Sequence, residues 1–218
     1  MPEPVTIIGV GAGLAALTTH LARRFFNLAK EVFDIIAGSA LLVLALPALA
    51  VCALLIKLSS KGPVIFTQIR VGQDGKPFRM YKLRTMYVDA ESASGAVWAA
   101  KGDPRVVPTC RWMRRCHADE LPQLINVVRG DMSLVGPRPE RPEIMDELEK
   151  VYPDIRRRLA VRPGITGLAQ IRNGYDTSVE AFRDKLRADL EYIERRNWST
   201  ELHILTRTLR KFNDKTAH

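Results

Sequence analysis

A chain of 218 residues is long enough for one sizeable core and short for two full domains. Its 33 Lys and Arg against 24 Asp and Glu leave a formal charge of +9, which favours anionic partners: nucleic acid, lipid headgroups or phosphorylated substrates. Three cysteines, Cys52, Cys110 and Cys116, are odd in number and form no Cys-x-x-Cys or Cys/His spacing, which argues against a disulfide framework or a zinc site.

From the N-terminus, Val5 to Leu17 is apolar and small. VTIIGVGAGLAA has the outline of a dinucleotide-binding turn, but Ala16 stands where the third glycine of GxGxxG belongs. A secretory signal is equally ill-matched, because Glu3 and no Lys or Arg precede the apolar run. The leader, residues 1–30, is read as amphipathic or disordered.

Ile35 to Ile56 forms an uncharged run, IIAGSALLVLALPALAVCALLI, whose length suits a helix of about 30 Å, the thickness of a bilayer core. Pro47 near its middle removes a backbone donor and presses on the carbonyl of Val43, so a kink or a break is expected there. Arg23, Arg24 and Lys30 precede the run and Lys57, Lys61 and Arg70 follow it, which gives no positive-inside bias for crossing. A helix-break-helix that enters and leaves by the cytoplasmic face is expected over residues 31–60, with a kinked single span as the alternative.

Beyond Gly62-Pro63, VIFTQIRV and FRMYKLRTM are strand-like runs around GQDGKP, which predicts a β-hairpin. Lys82 and Arg84, two residues apart, share a strand face and could aim two cations at a phosphate; solvated strand charges read the same way. Val88 to Ala100 has no sustained period and is expected to be a mobile loop or lid, with Asp103-Pro104-Arg105 as its turn. CRWMRRCH is a short basic helix. Pro142 to Leu159 reads as helix interrupted at Pro153, and Arg156, Arg157 and Arg158 form a basic cluster suited to headgroups or to plain solvation. RPGITG is a turn-rich loop ending at Gln170, and Val179 to Arg196 is helical. Trp112, Trp198 and Tyr192 are candidate interface aromatics, though core aromatics look alike.

The most informative stretch is ADELPQLINVVRGDMSLVGPRPE, from Ala118 to Glu140. Leu121, Leu124, Ile125 and Val128 follow helical spacing, Asp119 is placed as N-cap and Pro122 falls in the first turn, where its missing N–H costs nothing. An aspartate at that position serves ordinary capping. It also sits where free backbone N–H groups keep a carboxylate ionised and attract phosphate. An ionised aspartate beside a Mg²⁺-neutralised phosphate is a competent nucleophile, with Glu120 as a second oxygen ligand. Arg138, between Pro137 and Pro139, has a stiffened backbone that limits the entropy lost when its planar fork grips phosphate.

Together SSKGPVIFTQIRVGQDGKPFRMYKLRTM, DPRV, ADELPQLINVVRGDMSLVGPRPE and RPGITGLAQI resemble the bacterial sugar transferase family, monotopic polyprenyl-phosphate phosphoglycosyl transferases. The resemblance covers roughly Lys30 to Phe212 and implies transfer of a phospho-sugar from a UDP-sugar to polyprenyl (undecaprenyl) phosphate, with release of UMP. It implies Asp119 as nucleophile, Glu120 and Mg²⁺ assisting, and Arg114 and Arg138 as phosphate ligands. Lys82, Arg84, Glu140, Arg162 and Gln170 complete the candidate substrate-binding set, and Pro47 takes the place of the family's re-entrant break.

Two departures stand out: Leu46-Pro47 replaces the Ser-Pro common at the break, and Cys116-His117-Ala118 precedes the dyad where Thr-Ser-Leu-like residues are common. His117 could carry a proton for the attacking lipid phosphate, or simply flank a helix. The expected fold is mostly α with a small β-hairpin component (α+β): a monotopic membrane protein with a re-entrant, proline-broken helix and a cytoplasmic catalytic domain, residues 61–218. The expected place is the cytoplasmic face of a bacterial inner membrane, among membrane lipids; a homodimer is left open. Nucleic acid is not an expected partner, because no reading motif or aromatic platform is present.

Overall fold

The computed structural model describes residues 8–90, 103–172 and 182–213. The expected lid lies, past Ala90, outside the described residues, as does the start of the helix expected from Val179. The described chain is mostly helical, with two small two-stranded sheets and one long apolar helix.

That helix, α1, runs from Ile8 to Ser59 without interruption, so the boundary expected at residue 30 falls inside it. Pro47 does not end it either: helix continues on both sides of an exposed proline. The physical reason is the seat. Lys30, Asp34, Gly38, Leu42, Ala45, Leu49, Cys52 and Ile56 recur every three or four residues along one face, and that face lies against the rest of the protein. Residues on both sides of Pro47 therefore dock on the same body. At Gly38 the approach is close enough that a Cβ would stand 2.9 Å from Cγ1 of Val127. Outside this stripe Phe25, Leu28, Ile36, Val43, Leu44, Leu46, Val51, Leu54 and Leu58 are exposed, an apolar surface that the described residues leave uncovered.

The expected hairpin is present. β1 (Ile65–Val71) pairs antiparallel with β2 (Pro77–Leu83), Gln68 opposite Met80. Its turn places Asp74 and Gly75 at φ 56° and 78°, the left-handed conformation that Asp and Gly tolerate best. After the turn at Asp103, the basic run forms α2 (Arg111–Arg115), and α3 (Gln123–Val128) packs on α1 and β2.

β3 (Ser133–Val135) pairs parallel with β4 (Gly164–Thr166), so RPGITG is a strand where a loop was expected. These strands are three residues long and meet across a distant pairing, too short to show an alternation in the sequence. α4 (Pro142–Val151) ends before Pro153, as expected, and a 3-10 stretch (Pro153–Ala160) follows. α5 (Leu168–Arg172), which holds Gln170, α6 (Phe182–Arg195) and α7 (Trp198–Asn213) complete the chain.

A core of Met80, Leu124, Val127, Met132, Val135, Val161, Tyr192 and Ile204 joins β2, α3, β3, α6 and α7. Cys52 and Ile56 of α1 enter a second core with Leu83, Val107, Cys110 and Met113. Tyr192, a candidate interface aromatic, is instead buried, its hydroxyl donating to Glu201 at 2.6 Å. Trp198 stays half-exposed and meets Phe26 and Phe33 of α1 edge-on, at ring distances of 5.5 and 5.4 Å.

Candidate active site

Asp119 and Glu120 do not begin an α-helix. They lie in a single 3-10 turn (Ala118–Glu120), and α3 starts only after Pro122, which itself occupies the cap position. The expected N-cap at Asp119 is thus corrected. His117 explains the local geometry: at φ 53° it takes the left-handed conformation that ends α2 and reverses the chain into the turn. With α3 only six residues long, a helix dipole contributes little; side-chain charges set the local field. Within α3, Gln123 and Asn126 are buried while Ile125 is exposed, because Asn126 accepts from Tyr81 N–H and donates to the Arg79 carbonyl, fastening the turn's scaffold to β2.

Two cations converge on Glu120. Lys82 Nζ lies 2.9 Å from Oε1, and Arg138 straddles the carboxylate, its Nη1 3.1 Å from Oε2 and its Nη2 on Oε1. β2 supplies the lysine and the Pro-Arg-Pro segment after β3 supplies the arginine, so residues 82, 120 and 138 meet only in three dimensions. Asp119, 8% exposed, stands beside them, and Arg114 of α2 also acts on it electrostatically.

The two neighbouring carboxylates are driven apart. Burial and the charge of Glu120 push Asp119 up to about 6, against the opposing pull of Lys82, Arg114 and Arg138. Burial alone would raise Glu120 as well, but Arg138 and Lys82 outweigh it and hold that carboxyl well below its usual range. Glu120 is therefore a fixed anion and Asp119 a carboxylate that gains its charge close to neutrality. Three cations around two carboxylates leave an excess of positive charge, which suits a diphosphate.

A sequence profile of the bacterial sugar transferase family matches residues 25–215. The UDP-glucose:undecaprenyl-phosphate glucose-1-phosphate transferase of Caulobacter vibrioides is 43% identical over 191 residues, 87% of this chain and 71% of that protein. A protein of Bacillus subtilis, named a putative undecaprenyl-phosphate N-acetylgalactosaminyl 1-phosphate transferase, is 52% identical over 130 residues, 60% of this chain and 72% of its own. The chain belongs to the bacterial sugar transferase family. A further relative, the UDP-N-acetylgalactosamine-undecaprenyl-phosphate N-acetylgalactosaminephosphotransferase of Aeromonas hydrophila, is 40% identical over 89% of this chain, which spans only 46% of that protein.

Not every residue expected in this sugar transferase's site is there. Arg84 turns away to donate to the Ser60 carbonyl at 3.0 Å and to that of Lys61, serving carbonyls just past the end of α1 that have no helical partner. Arg162 pairs with Glu31 of α1 at 2.7 Å, and the Gln170 amide donates to the Ile165 carbonyl at 2.8 Å. Glu140 is buried under the site, 2.7 Å from Lys185 and 3.9 Å from Arg70, and so shapes the Pro-Arg-Pro segment without facing Asp119's cations at Glu120. The basic cluster also divides: Arg156 and Arg157 are exposed and meet Glu149 and Glu194, whereas Arg158 is buried on Asp189 at 2.7 Å.

Residues that the sequence did not single out are Lys185 and Asp189, whose partners lie far along the chain, and Gly136; Arg70, read only as a flanking charge, reaches Glu140. A Cβ at Gly136 would meet the backbone of Arg162, Pro163 and Gly164, so the two glycine-bearing motifs must touch backbone to backbone. The paired motif glycines were the available signal for that approach.

Asp119 and Glu120 match the habit of Mg²⁺, which takes one or two carboxylates and completes its shell with phosphate and water. Among the described residues no group of three His, Cys, Asp or Glu forms a metal cage. The donor set fits magnesium, provided that Arg138 and Lys82 leave Glu120 for the incoming phosphate.

Proposed function

We propose that this sugar transferase moves a phospho-sugar from a UDP-sugar to undecaprenyl phosphate through a covalent intermediate on Asp119, as the first membrane step of a glycan assembly. The observation that carries the reading is a carboxylate poised near neutrality beside Arg138 and Lys82, both gathered on its neighbour Glu120. The substrates come from the names of the relatives, which pair a UDP-sugar or a sugar 1-phosphate with undecaprenyl phosphate.

In the first half-reaction an Asp119 oxygen bonds to the sugar-bearing phosphorus, and the bond from that phosphorus to the bridging oxygen breaks. The bridging oxygen leaves with its electron pair on UMP. In the second, an oxygen of undecaprenyl phosphate attacks the same phosphorus and the carboxylate of Asp119 departs, so the cycle is ping-pong. Arg138 grips equatorial phosphate oxygens with its fork, Lys82 adds a point charge, and Arg114 adds its charge near Asp119. Mg²⁺ held by Asp119 and Glu120 would neutralise the diphosphate.

Among the described residues α1 is the one helix long and apolar enough to cross a membrane, and little of its apolar stretch is buried. We take its exposed apolar face as the lipid-facing surface and both its basic flanks as cytoplasmic, a re-entrant, monotopic anchorage bent about Pro47 at the inner membrane. Reactivity of a cysteine on one flank from the periplasmic side would make α1 a span.

The deciding assay is UMP release from a panel of UDP-sugars with Mg²⁺, with and without undecaprenyl phosphate. One UMP per protein is expected without acceptor and steady turnover with it, both abolished by EDTA and restored by Mg²⁺. Absence of turnover with every donor overturns the reading.

A further inference from the structure

The Pro-Arg-Pro segment lies outside any strand, yet its carbonyls are tied down one after another. Gly164 N–H donates to Pro137 at 2.9 Å, Arg158 Nη2 to Arg138 at 2.8 Å, Arg70 Nη1 to Pro139 at 3.1 Å, and Val71 N–H to Glu140 at 3.0 Å. Four consecutive acceptors are thus met from β4, the 3-10 stretch and β1. The carbonyl of Arg138 itself is served by a side chain, and that side chain is anchored in turn.

Arg158 is 2% exposed. Its Nε and Nη2 both reach Oδ2 of Asp189, at 3.0 and 2.7 Å, its guanidinium lies 5.4 Å from the ring centre of Phe182, and Nη2 also donates to Arg138. Asp189, 1% exposed, sits on α6, so the pair joins that helix to the arginine that grips Glu120. Beside it Glu140 is held between Lys185 and Arg70, which closes a buried cluster of three cations and two carboxylates beneath the segment. A buried ion pair is weak evidence of added stability, since desolvation offsets most of its attraction. Its geometric effect is firm: a planar guanidinium fixed to a carboxylate through Nε and Nη2 holds in one place the carbonyl that shares Nη2.

We propose that Arg158, anchored by Asp189, is a positioning residue for phospho-sugar transfer: it sets the backbone of Arg138 so that the Arg138 fork meets the diphosphate. The proposal rests on the transferase reading above. Lysine at 158 keeps the charge but has no fork to hold Asp189 and the Arg138 carbonyl together.

The test is a double-mutant cycle on the full-length protein, read by UMP release and by equilibrium binding of UDP. Arg158→Lys is expected to lower UMP release about 10- to 100-fold, chiefly in kcat, and to weaken UDP several-fold; a change below about twofold is expected when Arg138 is already Ala. A merely structural role gives equal factors in both backgrounds, and that additivity overturns the proposal, as does an Arg158→Lys protein with unchanged rate. Should Arg158→Lys fail to give a cooperative melt, Asp189→Asn goes through the same cycle with the same expected and overturning outcomes. A wild-type protein that neither releases UMP nor binds UDP overturns the transferase reading and this one with it; an active wild type with an additive cycle overturns this one alone.

Discussion

Among the described residues, two of the clusters of buried charge behave in opposite ways. At the seat of α1, Lys30 reaches Glu201 at 2.7 Å and Asp34 at 3.4 Å, Glu201 accepts from Tyr192, and Asp34 accepts from the Leu134 N–H. All four residues are at most 7% exposed, and each charge has a partner. At the candidate active site, Glu120 takes both cations, and Asp119 is left with a raised affinity for protons and an excess of positive charge nearby. Matched buried charge fastens elements together. Mismatched buried charge is held at a cost in stability and is ready to act on an incoming anion.

The largest effect should come from Asp119→Asn, which removes the proposed nucleophile. UMP release is expected to fall by about 10⁴-fold or to background, with or without lipid acceptor. The same variant sharpens the comparison from the side of stability. Asp119 in the folded protein titrates near 6, above its unfolded value, so its ionised form opposes folding; the penalty is absent at low pH and complete above about pH 6. Asp119→Asn should therefore melt higher than wild type at pH 8, by about 1–2 kcal/mol, with the difference shrinking towards pH 4. A lower melting temperature at pH 8 would mean that the ionised carboxylate is stabilised by its cations after all.

Lys30→Met in the matched cluster should do the reverse. It leaves Glu201 and Asp34 buried without their cation and is expected to cost about 3 kcal/mol in thermal or denaturant unfolding, while UMP release per folded molecule stays within about twofold. A large loss of rate at full folding would show the two clusters to be coupled. Arg138→Lys comes next, expected to cost about 10- to 100-fold in kcat/KM for the UDP-sugar, because a point charge cannot straddle Glu120 or phosphate as the fork does. The smallest effect is one of pH: without Mg²⁺ the Asp119 carboxyl, followed by NMR against Asp119→Asn, should lose its proton near pH 6. A midpoint at the ordinary value of about 4 would contradict the raised carboxyl.

Much of this was legible along the chain, for reasons that differ by element. The hairpin of β1 and β2 and the stop at Pro153 are local, set by Asp-Gly turn chemistry and by a ring that cannot donate, and both appear where expected. α7 and β4 were not anticipated; Trp198, Leu202, Leu205 and Leu209 of α7 recur at helical spacing and were available as a signal, whereas β4 is three residues long. Lys82 and Arg84 had equal claims on a phosphate, two residues apart. One reaches Glu120 and the other clasps the end of α1, a choice made by what each meets across space.

The sequence by itself determined the apolar run, the hairpin, the residue types at Asp119, Glu120 and Arg138, and the family. Only the tertiary structure decided that Glu120 is the cations' anion and Asp119 the carboxylate left poised, that α1 rests along the domain on both sides of Pro47, and that Arg158 lies beneath the site and not on a membrane. Residue type and short-range spacing settle which groups can bind phosphate. Burial and the identity of a distant partner settle which of them carry charge and where they point, and these arise only when the chain has folded.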